Sequence, residues 1–466
     1  MKNTRNKLIQ KYAGMVLAAI SLLISCRLEI EGVTSQAIRT FGVLAATLFI
    51  QVFESFPLSV SCLLSSALLF AFGCVDSISA AFSGYTNHVL YFTLASFAIS
   101  AAFQKSALSR KLISLVVREG RMTAKRIMLA FMACAALMSS VMSNVAAVVI
   151  FIPFAEAFLS FYREERARKV TARSMMIGLV VAAMAGGMIT PAGSSMNLIG
   201  IDLLKTYTGE TVRFVDWMLM GLPLAAAVVL VAFAIITAVY PPCEPSEGEM
   251  KAYLLELRQE VRLTGRDWYI GVLIFATLLL WVLSSWIPAI DITVISLIAM
   301  TLMFLPKFPV LTWDEFIKTN SWGAFFVAGN HISIASAVVS TGLCDYFATL
   351  LFQGSETMSL LPLIAKIAGI TFIFMAILPS APAVVTILAP IIMSFAASGG
   401  LNPVMLTMAC LLCVPNIYLF PLDAPLIVAY DKDAFTMFEL PRATIWIQLA
   451  IIALVTLWIP VVFRIV

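Results

Sequence analysis

The chain has 466 residues, of which 61% are hydrophobic and only 12% are charged, and its formal net charge is +4. Soluble domains are about 45–50% apolar and about 25% charged, so this chain carries more apolar surface than a water-exposed fold can bury. The composition predicts an integral membrane protein and excludes water-soluble enzymes, nucleic-acid-binding proteins and secreted disulfide scaffolds.

Eleven apolar runs separated by charged segments are candidates for membrane-spanning helices, each of which needs about 20 apolar residues. The first of them lies within residues 1–30 and precedes the rest of the fold. In chain order the runs are 13–26, 38–56, 57–74, 88–104, 173–205, 214–240, 267–286, 290–306, 320–340, 403–430 and 441–463.

Two further apolar stretches, 125–160 and 358–398, are too long for one crossing. Each is broken near its middle, at Ser143-Asn144 in the first and at 379–382 in the second. Irregular backbone at membrane depth is tolerated only where it is buried in protein or lines a cavity. We therefore expect two re-entrant helical hairpins that enter and leave on the same side.

Basic residues predict the orientation. The N-terminus and the segments 105–126, 161–173 and 241–266 hold 20 of the 30 Lys and Arg residues. All four lie on one face if there are eleven crossings and two hairpins, and the positive-inside rule makes that face cytoplasmic. The N-terminus is then cytoplasmic.

The chain also shows signs of internal duplication. Residues 143–158 and 380–395 share Ser, Ala, Val, Ile, Pro and Phe at matching places with an offset of 237. We predict a first repeat over 31–240, a polar linker over 241–266 and a second repeat over 267–466. Because each repeat has an odd number of crossings, five, the second must be inverted, as in many secondary transporters.

Polar and helix-breaking residues interrupt the apolar runs at 139–145, 186–197, 379–382 and 420–425. Free carbonyls and Ser or Asn oxygens at such breaks suit Na⁺, while helix N-termini attract anions. The alternative is that these small residues only allow close helix packing.

Asp423 lies in an otherwise apolar run at the last of these breaks. An ionisable residue in a span is a functional candidate because burying its charge is costly. It could bind a cation, carry a coupling proton or select against anions. Alternatively, it caps a half-helix that starts at Ala424.

The order of these features resembles the divalent anion/sodium symporter family, which includes sodium-coupled dicarboxylate and sulfate carriers. That family has Ser-Asn-Thr at each hairpin tip and a Gly-rich break with Thr-Pro and a later Asn. The stretches 143–145 and 187–197 match these motifs, and 82–87 and 104–110 look like the segment before the first hairpin. The sequence departs from the pattern at Val145, where Thr is expected, and at the second tip, Ser380-Ala381-Pro382.

The resemblance implies roles for particular residues. A first Na⁺ site would use Ser139, Ser143, Asn144 and Gly193. A second Na⁺ site would use Ser380 with carbonyls near Ala376 and Ala424. The substrate would bind between the tips, at Asn144, Val145, Thr190, Ser194, Ser380, Ala381 and Pro382.

The function that the resemblance implies is Na⁺-coupled symport of a small divalent anion, a C4-dicarboxylate first and sulfate second. The carrier would be a homodimer working by an elevator mechanism in a bacterial inner membrane. A proton-coupled carrier or an anion exchanger of the same fold, and an anion channel, stay open as alternatives. No cluster of His, Cys or acidic residues with catalytic or metal-ligand spacing lies in the spans, so we expect no enzyme activity and no organic cofactor.

Overall fold

A computed structural model describes residues 2–116, 122–257, 262–306, 309–378, 381–416, 418–419, 423–432 and 434–464. Across these residues all regular structure is helical, with 22 α-helices and two short 3₁₀ turns. Nine of the described helices are long and apolar enough to cross a membrane. This confirms the all-α polytopic fold, and each of the eleven predicted spans coincides with one helix or, at the breaks, with two.

Helix α1 (Lys2–Ser25) precedes two series of ten helices that are separated by a polar helix, α12 (Glu247–Leu257). The first series is α2 (Ser35–Val52), α3 (Leu58–Ala71), α4 (Ile78–Ala81), α5 (His88–Gln104), α6 (Leu108–Val116), α7 (Ala124–Ser139), α8 (Asn144–Ser160), α9 (Glu165–Gly186), α10 (Ser195–Thr208) and α11 (Phe214–Val239). The second is α13 (Gly265–Leu283), α14 (Ile292–Leu302), α15 (Trp313–Thr319), α16 (Trp322–Ser340), α17 (Leu343–Phe352), α18 (Leu360–Ile377), α19 (Ala381–Ser398), α20 (Pro403–Cys413), α21 (Ala424–Tyr430) and α22 (Leu440–Val462). The two series follow the same order, as expected of a duplicated chain: each starts with a long helix and passes through a hairpin and a broken helix to a long final helix.

The first predicted hairpin is α7 and α8. These helices have 16 and 17 residues, which at 1.5 Å per residue gives about 24–26 Å, less than the roughly 30 Å of a bilayer core. They pack against each other, and the chain turns between Ser139 and Asn144. Helices α18 and α19 form the second predicted hairpin, whose tip residues 379 and 380 lie outside the described residues. Both of these helices reach the length of a candidate span, so re-entry there stays a prediction.

The broken helices differ from the predicted spans at their ends. The predicted run 173–205 is α9, a 3₁₀ turn at Pro191–Gly193 and α10, and α9 begins at Glu165 rather than at 173. Charged residues that the hydropathy pattern assigns to a loop thus continue the helix beyond its apolar part. The predicted run 403–430 is α20 and α21, separated by residues 414–423.

The described structure divides into two compact units that do not follow the two series. The first unit is Met1–Thr93, Leu198–Thr211 and Ser321–Leu411, and the second is Leu94–Asn197, Val212–Asn320 and Leu412–Val466. The first therefore combines α2–α4 with α16–α19, while the second combines α6–α9 with α13–α15. The predicted repeat limits, 31–240 and 267–466, remain predictions about ancestry.

Equivalent contacts occur inside each unit. In the first unit, Thr34, the N-cap of α2, donates its Oγ1 hydrogen to the carbonyl of Thr341, just after α16, at 3.3 Å. In the second, Asp267 in the first turn of α13 accepts from the backbone N–H of Ala107, after α5, at 2.8 Å. The start of α2 thus binds the turn that follows α16, and the start of α13 binds the turn that follows α5. We call each of these two turns an elbow.

An ion pair reinforces the elbow of the second unit. Lys105 Nζ lies 2.6 Å from Glu315 Oε1 on α15. Hydrogen bonds from Lys105 and from Thr312 lower the pKa of the Glu315 carboxyl to about 2. This carboxylate stays charged at all physiological pH values, so the elbow is not a pH-sensitive joint.

Helices α7 and α9 pack closely at Gly186, where an added Cβ would lie 2.2 Å from the Ala136 carbonyl oxygen. We expect Gly186→Ala to lower the melting temperature of the detergent-solubilised protein, because overpacking a tight contact costs about 1–3 kcal/mol. The matched control is Gly369→Ala in α18, where a Cβ would meet nothing within 4 Å. It should leave the melting temperature unchanged or slightly higher, and equal values for the two variants would contradict the close packing of α7 on α9.

Candidate functional site

The tip of the first hairpin is ordered by short polar side chains. Ser143 is the N-cap of α8, and its Oγ accepts from the Ala146 N–H at 3.2 Å. Ser139 Oγ, at the end of α7, donates to Asn144 Oδ1 at 2.7 Å. The backbone N–H of Ser143 also donates to Ser100 Oγ on α5 at 3.3 Å. Capping and these side-chain bonds fix the tip without any charged residue.

The break between α9 and α10 is closed by the amide of Asn197. Its Nδ2 donates to the carbonyls of Gly187, at 2.8 Å, and Thr190, at 3.0 Å. Buried carbonyls need such partners, because an unsatisfied one costs about 1–3 kcal/mol. Asn197 is 1% exposed, and its Oδ1 has no hydrogen-bond partner within the described ranges. The Asn197 amide thus closes the loop through its Nδ2 group, while its Oδ1 atom remains without a partner among the described residues.

The hairpin tip and the break meet in the second unit. Thr190 Oγ1 donates to the Ser140 carbonyl. An added Cβ on Gly187 would lie 2.5 Å from Asn144 Oδ1, and one on Gly193 would lie 2.6 Å from the Gly187 carbonyl oxygen. Both glycines are therefore needed for the close approach. We call this arrangement of residues 139–145 and 187–197 the tip–break cluster.

The tip–break cluster brings together all four residues of the predicted first Na⁺ site. Three of the predicted substrate residues also lie in it, besides Asn144. Thr190 is buried, Val145 is half-buried in the first turn of α8, and Ser194 Oγ donates to Met196 Sδ at 2.9 Å. Their roles in binding stay predictions.

The residues predicted for the second Na⁺ site and the second hairpin tip lie in separate parts of the chain. Ser380 lies outside the described residues. Ala381 is buried at the start of α19, with half-buried Pro382 beside it, and Ala376 is near the end of α18. These residues belong to the first unit and Ala424 to the second. Ala381 and Pro382, which belong to the predicted substrate residues, offer no side-chain oxygen, and the second Na⁺ site of Ser380, Ala376 and Ala424 stays a prediction.

Asp423 stands at the N-cap position of α21, but its side chain makes no capping hydrogen bond. Asp423 therefore occupies the position of a helix cap, but its side chain does not make the hydrogen bond of one. Its carboxylate stays a candidate for coupling.

Two functional candidates were missed by the sequence analysis. Asn416 and Tyr418, after α20, are both fully buried, and Tyr418 OH donates to Asn416 Oδ1 at 2.6 Å. Asn416 Nδ2 donates to the Leu412 carbonyl at 3.0 Å and contacts Met188 Sδ at 3.6 Å. The segment after α20 therefore packs against the break between α9 and α10, within the second unit. The signal was Pro415-Asn416 inside an apolar run, the same kind of interruption as Thr190-Pro191.

The tip–break cluster contains only uncharged polar and apolar residues. No group of three or more His, Cys, Asp or Glu residues able to hold a metal ion occurs among the described residues. Carbonyl, hydroxyl and amide oxygens are instead ligands that suit Na⁺ in broken helices. Helices α8 and α10, of 17 and 14 residues, begin within the cluster, and helix N-termini carry free N–H groups and a positive dipole end that attract anions.

We expect Asn197→Ala to lower the melting temperature of the purified protein more than Asn402→Ala does. The first change leaves two buried carbonyls without a donor, at about 1–3 kcal/mol each. The second removes an exposed side chain that accepts from the Met405 N–H, a cap worth about 1 kcal/mol. If the melting temperature of Asn197→Ala is no lower than that of Asn402→Ala, the Asn197 amide does not close the break.

Known proteins agree with this architecture. The chain is 25% identical over 409 residues to an L-tartrate/succinate antiporter of Shigella dysenteriae, covering 83% of this chain and 81% of that one. An L-tartrate/succinate antiporter of Escherichia coli is 25% identical over 407 residues, with the same coverage. The crystal structure of the Alcanivorax borkumensis YdaH transporter matches with a TM-score of 0.54 and 14% identity, over 89% of this chain and 98% of that chain. At that identity the similarity concerns the fold alone.

The family model for the sodium:sulfate symporter transmembrane region matches residues 6–465, nearly the whole chain. The family and the named relatives are membrane transporters and not enzymes. The resemblance carried by the hairpin tip and the Gly-rich break is thereby confirmed: the chain belongs to the sodium:sulfate symporter family of membrane transporters.

Proposed function

We propose that this protein carries C4-dicarboxylates across a bacterial inner membrane by secondary active transport, with Na⁺ bound in the tip–break cluster. The observation that carries the proposal is the meeting of an uncharged hairpin tip with a broken helix whose amide oxygen, Asn197 Oδ1, is buried and unpartnered among the described residues. Sulfate is the second substrate candidate, from the family description.

The cation would take neutral oxygens from both parts of the cluster. Asn144 Oδ1 lies at the tip beside Ser139 Oγ, and Asn197 Oδ1 lies inside the break. A backbone carbonyl at Gly193 would complete the set, since unwound helices use carbonyls to coordinate Na⁺. Because all of these ligands are uncharged, a bound Na⁺ would leave a net positive charge at the site.

The anion would be held by donors that the cation does not use. With Asn144 Oδ1 accepting from Ser139, its Nδ2 group remains available as a donor to a carboxylate. Ser194 now donates only to a thioether, a weak acceptor, and can turn its hydroxyl to a carboxylate oxygen. Thr190 is different, because its hydrogen is already given to the Ser140 carbonyl. Asn144 would then touch both ions and couple their binding.

Exchange of one dicarboxylate for another is a second candidate. The relatives at 25% identity are named L-tartrate/succinate antiporters, and the described residues of the second tip, Ala381 and Pro382, have no hydroxyl or amide for a second cation. An exchanger needs no net ion flux, so one structural Na⁺ would suffice. Asp423 could carry a proton in a third variant of the same carrier.

Alternating access would follow the elevator mechanism that the family resemblance implies. The hairpins and broken helices would move together against the other helices, in a homodimer. The saturable kinetics of such a carrier distinguish it from an anion channel of the same family fold.

We expect Asn144→Ala to lower succinate uptake into proteoliposomes by more than about tenfold, because the residue would contact both the cation and the substrate. The matched control is Asn402→Ala, at an exposed helix cap outside the tip–break cluster, which should transport normally. Normal uptake by Asn144→Ala, with equal protein incorporated, would show that the tip residue serves packing only.

Symport and exchange are separated by loading the vesicles. Empty vesicles under an inward Na⁺ gradient should accumulate labelled succinate, and a matched K⁺ gradient should not. Uptake that requires internal succinate or tartrate and does not depend on Na⁺ would show exchange rather than symport. Uptake driven by a pH gradient and abolished by Asp423→Asn would replace Na⁺ with a proton, and uptake that does not saturate would indicate a channel.

A further inference from the structure

A cavity of about 400 Å³ lies in the first unit, between Lys11 of α1 and the turn that joins α2 to α3. It is lined by polar Lys11, Gln51, Glu54 and Ser61 together with apolar Phe56 and Leu58. This size is within the range of small-molecule sites. The cavity is separate in sequence from the tip–break cluster, and the proposed transport function makes no use of it.

Two opposite charges face this cavity without neutralising each other. Lys11 and Glu54 both line it, yet neither side chain takes part in an ion pair within the described part of the chain. Both side chains are exposed at the cavity. A cation and a carboxylate kept apart in one cavity match a ligand that carries both signs of charge.

The backbone is built to keep the two charges in place. Glu54 has φ of +48°, and it is the one non-glycine residue with positive φ among those described. That conformation is uncommon outside Gly, Asn and Asp and often marks a functional position. On the other side, the Lys11 carbonyl accepts from Ser55 Oγ at 2.9 Å, which joins α1 directly to the residue after Glu54.

The location points to a lipid as the source of the ligand. Lys11 lies one turn inside the apolar segment Leu8–Ser25, the candidate span of α1, and therefore near one membrane surface. Leu58, which lines the cavity, and Leu8, one helical turn before Lys11 on α1, are 45% and 53% exposed. They offer a surface for acyl chains below a headgroup held between the charges.

We propose that this cavity binds the headgroup of a zwitterionic phospholipid with a primary amine, of the phosphatidylethanolamine kind. Lys11 would pair with the phosphate, and Glu54 would accept hydrogen bonds from the ammonium group. A quaternary choline headgroup has no N–H to donate, and a glycerol headgroup has no positive charge. The carboxylate therefore selects the amine, while the lysine pairs with the phosphate of any of the three phospholipids.

The test is native mass spectrometry of the purified, delipidated full chain, titrated separately with dioleoyl phosphatidylethanolamine, phosphatidylcholine and phosphatidylglycerol. We expect the ethanolamine lipid to bind about fivefold more tightly than the choline lipid, the scale of one exposed charge pair. Glu54→Gln should abolish that preference, and Lys11→Met should weaken all three lipids. The matched control is Glu165→Gln, which removes an exposed carboxylate paired only with Lys169 and should leave the preference intact.

A further variant, Glu54→Gly, controls for the possibility that loss of lipid binding reflects misfolding. Glycine relieves the positive φ, so this variant should melt no lower than the wild type while losing the lipid preference. Water-soluble glycerophosphoethanolamine should compete with the lipid, and inorganic phosphate should not. Tighter binding of phosphatidylglycerol, competition by phosphate alone, or an unchanged preference in Glu54→Gln would each overturn the proposal.

Discussion

In a bilayer every backbone N–H and carbonyl must find a partner inside the protein, because no water is available to satisfy it. The rest of this structure depends on how that constraint is met where helices are interrupted. At the first break, one amide, Asn197, takes up two carbonyls, and one hydroxyl, Thr190, takes up a third on the neighbouring hairpin tip. The interruption is therefore stable. It leaves one amide oxygen without a hydrogen-bond partner among the described residues, and two helix N-termini, in the tip–break cluster.

Satisfying the backbone also dictates the close approach of neighbouring segments. Gly187 and Gly193 lie where any Cβ would collide with Asn144 or with the chain itself, and Gly221 lies where a Cβ would meet the Met188 carbonyl at 2.1 Å. That same carbonyl accepts from Trp217 Nε1 at 2.9 Å. Small residues and hydrogen bonds thus act together: the glycines bring the backbones close, and the polar side chains satisfy the carbonyls that the break leaves free.

Much of this could be predicted from the sequence because only 12% of its residues are charged, so interruptions of the long apolar runs are easy to locate. In chains with so little charge, Ser143-Asn144 and the stretch 187–197 are conspicuous, and the hairpin and the break lie where those residues are. The start of α9 at Glu165 was missed, because charged residues outside the bilayer can be helix or loop with equal hydropathy. Tyr418 was missed because an aromatic residue in an apolar run resembles packing. The division into two units that combine both series depends on long-range contacts, such as that between Thr34 and Thr341, which no local pattern encodes.

We propose that a cation and a dianion share the tip–break cluster, so that each needs the other. This proposal is tested by the melting temperature of the purified protein titrated with succinate in NaCl and, at equal ionic strength, in KCl. A ligand that binds only the folded state stabilises it by RT ln(1 + [L]/Kd), which is about 2.7 kcal/mol at one hundred times Kd. We predict that succinate raises the melting temperature in Na⁺ and has little effect in K⁺. An equal rise in both salts would contradict it, because the anion would then bind without the cation.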